Sequence, residues 1–226
     1  AVDIANTGCD MTSLPEFRQA DIIHLHWINQ GMLSLKNLKK ILASGKPVVW
    51  TLHDMWPFTG ICHYAQECEN YKTGCNRCPY LVGRKKKDLS TRIFSRKKNI
   101  YDKNQITFVG CSKWISERAE ESALAGNQLV MSIPNPINIK TFCPANKVKV
   151  REKCNLPNDK KLILFGSLKV SDKRKGIIYL IEACKILAKE YPQLCASLGV
   201  VAFGHHSKAL QEKIPFKVYP LEYVKT

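Results

Sequence analysis

Short apolar segments alternate with segments of helical periodicity along most of the chain. Four runs rich in β-branched and other apolar residues predict strands at 21–27, 47–52, 106–110 and 129–133. Between the first two runs, apolar residues recur at the spacing of one helix face, at Leu35, Leu38, Ile41 and Leu42. Ser112 is placed to cap a further helix. Strands that alternate with helices predict an α/β fold with a doubly wound parallel sheet.

The pattern fails between residues 135 and 157, where prolines accumulate, and then starts again. A second series of predicted elements follows, with strands at 162–166, 198–203 and 216–219 and a helix at 176–189. We therefore expect two domains, 1–139 and 140–226. The sequence stops just after the last strand, so we expect the second domain to be incomplete.

The net charge of +16 is concentrated in basic runs at 84–87, 96–98 and 173–175. Such a field attracts phosphates, nucleic acid or an anionic bilayer. The predicted helix that contains the 96–98 run would meet such a bilayer along one face. No run of eighteen apolar residues is present, and the first residues lack the pattern of a signal peptide. These features favour a cytoplasmic protein, alternatively one peripheral to the inner face of the cell membrane.

Four of the ten cysteines lie close together in one segment, the Cys-rich loop (residues 54–82). Cys75 and Cys78 form a C-x2-C hook, Cys62 and Cys68 supply a second pair, and His63 is a substitute ligand. The spacing is compatible with structural zinc, with disulfides, or with free thiols packed in the loop. We expect zinc, because bound metal would order a segment that has no hydrophobic period.

Histidines follow both of the first two predicted strands. His53 and Asp54 come directly after the second strand, and His26 lies at the end of the first, with His24 two residues earlier on the same face. Ligands bind at the carboxyl ends of strands in open parallel sheets, where the loops converge on a crevice. His53 is therefore a candidate active-site residue.

Five segments resemble, in the right order, the retaining glycosyltransferases of family 4, especially enzymes of bacterial surface-polysaccharide assembly. They are ADIIHLHWIN, GKPVVWTLHDMWPFTG, CSKWISERA, IPNPINIKTFCP and FGSLKVSDKRKGIIYLIEACKIL, and the resemblance extends from residue 20 to 224. It implies the GT-B fold, in which two Rossmann-like domains hold the acceptor and the nucleotide-sugar. Residues 1–139 would be the acceptor-side domain with the Cys-rich loop inserted, and 140–226 a partial donor domain.

The resemblance also implies roles for individual residues. Lys175 would grip the donor diphosphate with Arg174 beside it, and Gly166 would let the backbone approach the donor. Many members carry arginine where this chain has Ser167, so the grip would rest on Lys175, Arg174 and Lys169. His53 would lie over the reacting sugar, with His26 and Asp54 on the acceptor side.

By the same resemblance, no metal is needed for transfer and the anomeric configuration is retained. The donor would be UDP- or GDP-linked and the acceptor a glycan or a lipid-linked sugar. A glycine-rich loop before the first strand and a later carboxylate segment have no counterpart, which implies a fragment lacking both ends and weak or inactive alone. The alternative is a nucleic-acid-binding protein with a zinc module and a basic arm, but the basic residues fall on two domains without interleaved aromatics, so we expect no nucleic-acid partner.

Overall fold

The computed structural model describes residues 2–83 and 85–223. Arg84 of the first basic run and residues 224–226 of the predicted donor domain lie outside the described residues. The chain divides into two compact units, Ala1–Ile137 (unit 1) and Asn138–Thr226 (unit 2). No helix in the described part of the chain is long and apolar enough to cross a bilayer.

Unit 1 contains a four-stranded parallel sheet in the order β1-β2-β3-β4. The strands are β1 Ile23–Leu25, β2 Val48–Leu52, β3 Thr107–Gly110 and β4 Leu129–Ser132. The helices are α1 Pro15–Gln19, α2 Leu35–Leu42, α3 Leu89–Tyr101 and α4 Lys113–Glu120. Ser34 begins α2 with a capping box shared with Asn37, and the predicted apolar face of α2 is buried. The predicted cap of α4 is also present, since Ser112 accepts a hydrogen bond from the backbone of Ile115.

Aromatic side chains fill the core of unit 1 beneath the sheet. Trp50 from β2 packs against Phe108 from β3 with ring centroids 5.9 Å apart, and against Trp56 at 6.3 Å. Tyr101 at the end of α3 joins the same group. Aromatic packing of this kind adds stabilisation to the burial of the rings themselves. The ends of the strands next to this core are therefore held in fixed positions by its packing.

Unit 2 contains a three-stranded parallel sheet in the order β5-β6-β7. The strands are β5 Lys161–Lys169, β6 Leu198–His205 and β7 Lys217–Glu222, and the helices are α5 Lys147–Lys153 and α6 Ile177–Glu190. Ile177 and Cys184 of α6 are buried with Val200 and Ala202 of β6. The predicted elements of both units are present, with bounds that differ from the predicted ones by up to three residues, and α1 and α5 are additional. The predicted α/β class with parallel sheets is confirmed.

Candidate functional site

The first two strands bring His26 and His53 together at the carboxyl edge of the unit 1 sheet. β1 and β2 are parallel with Leu25 opposite Trp50, so the residues that follow each strand emerge side by side. The His26 Nδ1 and His53 Nε2 atoms are 2.9 Å apart, and the rings stack with centroids separated by 5.2 Å. One nitrogen donates and the other accepts, so the pair shares one proton. Both side chains are exposed and available to a ligand.

His24 extends this pair to a row of three imidazoles. Its Nε2 atom is 2.8 Å from Thr51 Oγ1, and its ring centroid is 4.2 Å from that of His26. Burial of its ring, followed by repulsion from His26 and His53 in their protonated forms, lowers the pKa of His24 below its ordinary value. The lowered pKa favours the uncharged form of His24, in which one ring nitrogen donates and the other accepts a hydrogen bond.

Asp54 lies beneath this edge and is only 6% exposed. Its Oδ1 atom accepts from the backbone N–H of Trp56 at 2.8 Å. Its Oδ2 atom pairs with Trp27 Nε1 at 2.9 Å and with His63 Nδ1 at 2.7 Å. Both carboxylate oxygens are thus engaged within the protein, and they join Trp27, His63 and the backbone of Trp56. The place of Asp54 on the acceptor side stays a prediction.

Trp27 is a residue that the sequence reasoning did not single out. Its side chain is 42% exposed, whereas Trp50 and Trp56 are almost completely buried. The hydrogen bond to Asp54 fixes its indole, and its ring centroid lies 6.1 Å from that of His63. The available signal was its position directly after His26 at a strand end, where exposed aromatic residues contribute to binding sites.

Lys97 of α3 is 0% exposed, in line with its helical spacing from the apolar residues Ile93, Phe94, Ile100 and Tyr101, so it presents no cation to a surface. Its Nζ atom donates to the carbonyl oxygens of Trp56 at 2.6 Å and Thr59 at 3.1 Å. The same atom lies 3.2 Å from the centroid of the Trp56 ring. Burial lowers the pKa of Lys97 well below its ordinary value. Lys97 therefore holds the start of the Cys-rich loop against α3.

The Cys-rich loop is ordered by apolar burial, contrary to the expectation that it lacks a core. Met55, Trp56, Phe58 and Ile61 are buried in the unit 1 core together with Tyr71. Polar contacts add to this order, since the backbone N–H of Cys78 donates to Asp88 at 2.7 Å. Metal is therefore not required to explain the order of this segment.

The four thiols of the loop surround a narrow cavity of about 20 Å³. Burial raises the pKa of Cys75 to about 12, and it also raises the pKa values of Cys62 and Cys78. All four are free thiols. Within residues 2–83 and 85–223, no group of three or more His, Cys, Asp or Glu side chains is arranged to hold a metal ion. The expectation of zinc at Cys62, Cys68, Cys75 and Cys78 therefore lacks support, because these thiols pack as small apolar groups.

The predicted donor residues lie together in unit 2, on the end of β5 and the turn that precedes α6. Lys173–Lys175 form a 3-10 turn, and Gly176 has a φ of 82°, a left-handed conformation that favours glycine. Arg174 is bound to Asp172 through Nε at 3.1 Å and Nη2 at 2.7 Å. Lys175 is exposed, and its ammonium forms no ion pair with any carboxylate of the described residues.

The end of β5 is shaped by packing against β6. A side chain at Gly166 would overlap the Phe203 ring, whose Cζ atom lies 2.0 Å from the added carbon. The pairing of β5 with β6 shifts register between Gly166 and Lys169. Ser167, which lies within this shift, donates its hydroxyl to the carbonyl of Lys169 at 2.8 Å. Glycine at 166 therefore has a local reason, independent of any donor.

Comparison with known proteins found a similar sequence segment and a similar structure, and both belong to sugar-transferring enzymes. An alignment over 66 residues, which covers 26% of this chain, shows 39% identity to an Escherichia coli (strain K12) protein named as a colanic acid biosynthesis glycosyl transferase, WcaC, and covers 16% of that protein. The structure is similar to the UDP-forming α,α-trehalose-phosphate synthase of Burkholderia xenovorans, with a TM-score of 0.51 and 15% identity. That similarity covers 91% of this chain and 49% of the synthase, so this chain spans about half of its length. No protein-family model matches the chain.

At this level of identity, the structural similarity establishes the fold. The fold is of the GT-B type, as the sequence predicts.

Proposed function

We propose that this chain is part of a glycosyltransferase that transfers a sugar from a nucleotide-sugar to a glycan or a lipid-linked acceptor. The fold and the 66-residue likeness to WcaC support this assignment. The observation that carries it is the pair of exposed imidazoles, His26 and His53, at the carboxyl ends of two parallel strands. Ligands bind at that edge in open α/β sheets.

In this proposal the cationic turn before α6 binds the donor diphosphate. Lys175 offers an exposed ammonium, and the following helix adds backbone N–H groups and the favourable end of its dipole. Arg174 is a weaker contributor, because it already pairs with Asp172 in its own turn. Lys169, Ser167 and Gly166 form the adjoining end of β5. The nucleotide of the donor is proposed to be UDP or GDP, and titration with each distinguishes them.

The proposed reaction proceeds with retention of configuration. The bond between the anomeric carbon and the diphosphate oxygen breaks, and the acceptor hydroxyl oxygen bonds to the same face of that carbon. The acceptor proton passes to the departing phosphate oxygen, so the protein need not supply a base. Cationic groups near the diphosphate stabilise the charge that develops there. His53 would hydrogen-bond the reacting sugar and His26 the acceptor.

We also propose that α3 contacts an anionic membrane, through its exposed basic side chains and without Lys97. Arg92 and Arg96 are exposed and Lys98 is partly exposed, while Lys97 is unavailable. Sedimentation with vesicles of phosphatidylglycerol and phosphatidylcholine would measure such contact. Binding that does not depend on the anionic lipid removes this part of the proposal. The nucleic-acid alternative gains no support, since burial of Lys97 weakens the basic arm on which it depended.

Titration of the chain with UDP and with GDP, followed by calorimetry, tests the donor site. We expect one nucleotide to saturate and Lys175→Met to weaken its binding about tenfold, the scale of one lost charge-assisted hydrogen bond. Lys173→Met is the matched control, because Lys173 is an exposed lysine of the same turn. Failure of both nucleotides to bind, or equal losses in the two variants, would contradict the proposed donor site.

Activity requires a separate measurement with the complete protein. Mass spectrometry of products from a panel of nucleotide-sugars and lysate lipids would identify the donor and the acceptor. Loss of product in His53→Ala, with nucleotide binding unchanged, is the expected signature of a residue that acts on the sugar. Unchanged turnover in that variant would remove His53 from the mechanism.

A further inference from the structure

Trp27 combines two properties that seldom occur together. The indole is 42% exposed, yet its orientation is fixed by the hydrogen bond from Nε1 to Asp54. A large aromatic side chain exposed to water is usually mobile, and fixing its orientation adds little to the stability of the fold. A ligand that packs on a fixed ring loses less conformational entropy on binding. The arrangement therefore resembles a prepared binding surface.

The group that fixes the indole is itself rigid. Asp54 receives the indole N–H and the His63 ring on the same oxygen, and the backbone of Trp56 on the other. His63 is buried, and the ring of Trp56 lies in the unit 1 core. The indole is thus connected through one carboxylate to the Cys-rich loop and to the packed interior.

The exposed groups that adjoin Trp27 at the ends of β1 and β2 define the chemistry of the ligand. His26 precedes it in the chain, and His26 pairs with His53. Imidazole nitrogens exchange hydrogen bonds with hydroxyl groups, and the indole face packs against C–H groups. A pyranose ring presents both kinds of group, hydroxyls at its rim and C–H bonds on one face. A diphosphate would instead require the lysine and arginine groups found in unit 2.

We propose that Trp27, clamped by Asp54, is a stacking platform for a sugar ring of the acceptor. This inference rests on the proposed function and adds the residue that would bind the acceptor and the neutral pyranose face that it would take. In this role Trp27 contacts the ligand, and Asp54 is a positioning residue that acts through the indole.

The test follows the indole N–H signals of the nitrogen-15-labelled chain by nuclear magnetic resonance. The chain has four tryptophans, and single Trp→Phe variants assign their signals. Methyl β-D-galactopyranoside is the probe, because the C3–C4–C5 side of its ring is apolar. We expect a saturable shift of the Trp27 signal with a dissociation constant of about 10 mM, typical of a single weakly held ring. The signals of the buried Trp50 and Trp56 should move much less.

Variants separate stacking from general effects on folding. Trp27→Ala should abolish saturation, measured on the backbone amide signals near His53. Asp54→Asn should weaken the interaction about threefold to tenfold while Trp27 remains present, because the clamp is altered and the ring is kept. Tyr179→Ala is the control, since Tyr179 is an aromatic residue of unit 2 that is 80% exposed. Thermal unfolding of each variant confirms that it is folded.

Each outcome bears on the inference. Absence of any glycoside-dependent shift, or an unchanged dissociation constant in Trp27→Ala, would overturn it. A loss in Asp54→Asn that equals the loss in Trp27→Ala would still support the clamp. Titration of the same sample with UDP and GDP distinguishes the two proposals. Nucleotide binding without glycoside binding removes only the platform, and glycoside binding without nucleotide binding removes the transferase assignment.

Discussion

Side chains from separate chain segments hold the strand-end site of unit 1, whereas the cationic turn of unit 2 is held by contacts within itself. In unit 1, Trp27 and His63 meet on Asp54, and the two histidines pair across two strands. In unit 2, Arg174 is tied to Asp172 two residues away and Lys175 is exposed. The difference matches two recognition tasks. Sugar hydroxyls require fixed directions, whereas a diphosphate is attracted by charge and tolerates adjustable partners.

The largest expected effect is a loss of stability when Lys97, which supports the unit 1 site from below, is replaced. Lys97→Ala leaves the carbonyl oxygens of Trp56 and Thr59 without their buried donor and opens a cavity over the Trp56 ring. We expect the free energy of unfolding to fall by about 3 kcal/mol. Urea unfolding followed by tryptophan fluorescence measures it, and all four tryptophans lie in unit 1.

The matched control lies next to it in the same helix. Lys98 is partly exposed and pairs with Asp102 at 3.1 Å, so Lys98→Ala should change the free energy of unfolding by less than about 0.5 kcal/mol. Equal losses in the two variants would show that α3 as a whole, and not the buried ammonium, stabilises the loop.

The second effect concerns the buried thiols of the Cys-rich loop at alkaline pH. The pKa of Cys75 is raised from 9.0 to about 12, so the unfolded chain releases this proton first as the pH rises above 9.0. The thiol therefore contributes stability that is present below pH 9.0 and is lost above it. We expect a loss of up to about 2 kcal/mol between pH 9.0 and pH 10.5.

The comparison is made between the wild type and Cys75→Ser. Serine does not titrate in this range and keeps an acceptor for the backbone N–H of Gly60, which donates to the Cys75 sulfur at 3.1 Å. Lys97, whose pKa is lowered, opposes the trend in both proteins, so the difference between them reports the thiol together with its interaction with Lys97. An identical pH dependence in the two proteins would mean that Cys75 is not the titrating group.

The smallest effect concerns the imidazole row at acidic pH. Because the pKa of His24 is lowered, the unfolded chain takes up this proton at a higher pH than the folded protein does. Stability is therefore present above the ordinary value of 6.5 and is lost as the pH falls through the lowered one. We expect a modest decrease in the urea midpoint between pH 7 and pH 5, smaller than the alkaline effect.

His24→Gln should reduce this decrease, because glutamine retains a polar partner for Thr51 and carries no proton that titrates in the range. If the variant keeps the full acidic decrease, the decrease belongs to groups other than His24.

The sequence predicted most of the fold because the fold depends on local periodicity. The apolar face of α2 and the alternation in β2 are visible in a few residues, and each ends at a recognisable stop or cap. The boundary expected near residue 140 and the division after Ile137 both fall where that periodicity is absent. Helices α1 and α5 were missed because each is short and buries none of its residues.

The site was less predictable because it depends on distant contacts. The sequence placed His26 and His53 at strand ends, but their hydrogen bond follows from the parallel register of β1 and β2. Nothing in the sequence pointed to the partners of Lys97, because the carbonyl oxygens of Trp56 and Thr59 come from a distant segment. The four clustered cysteines line one cavity, as their spacing suggests, but the described residues form no group arranged to hold a metal ion, so zinc stays a prediction.

Trp27 and His63 share one oxygen of Asp54, which restricts the substitutions that these three positions can accept. Removal of the carboxylate leaves two ring N–H groups without an acceptor, and removal of either ring leaves a buried charge with fewer partners. Substitution at Trp27, Asp54 or His63 should therefore be tolerated best when the other two change with it. In related proteins we expect these three positions to be inherited as a set, even where the residues between them have diverged.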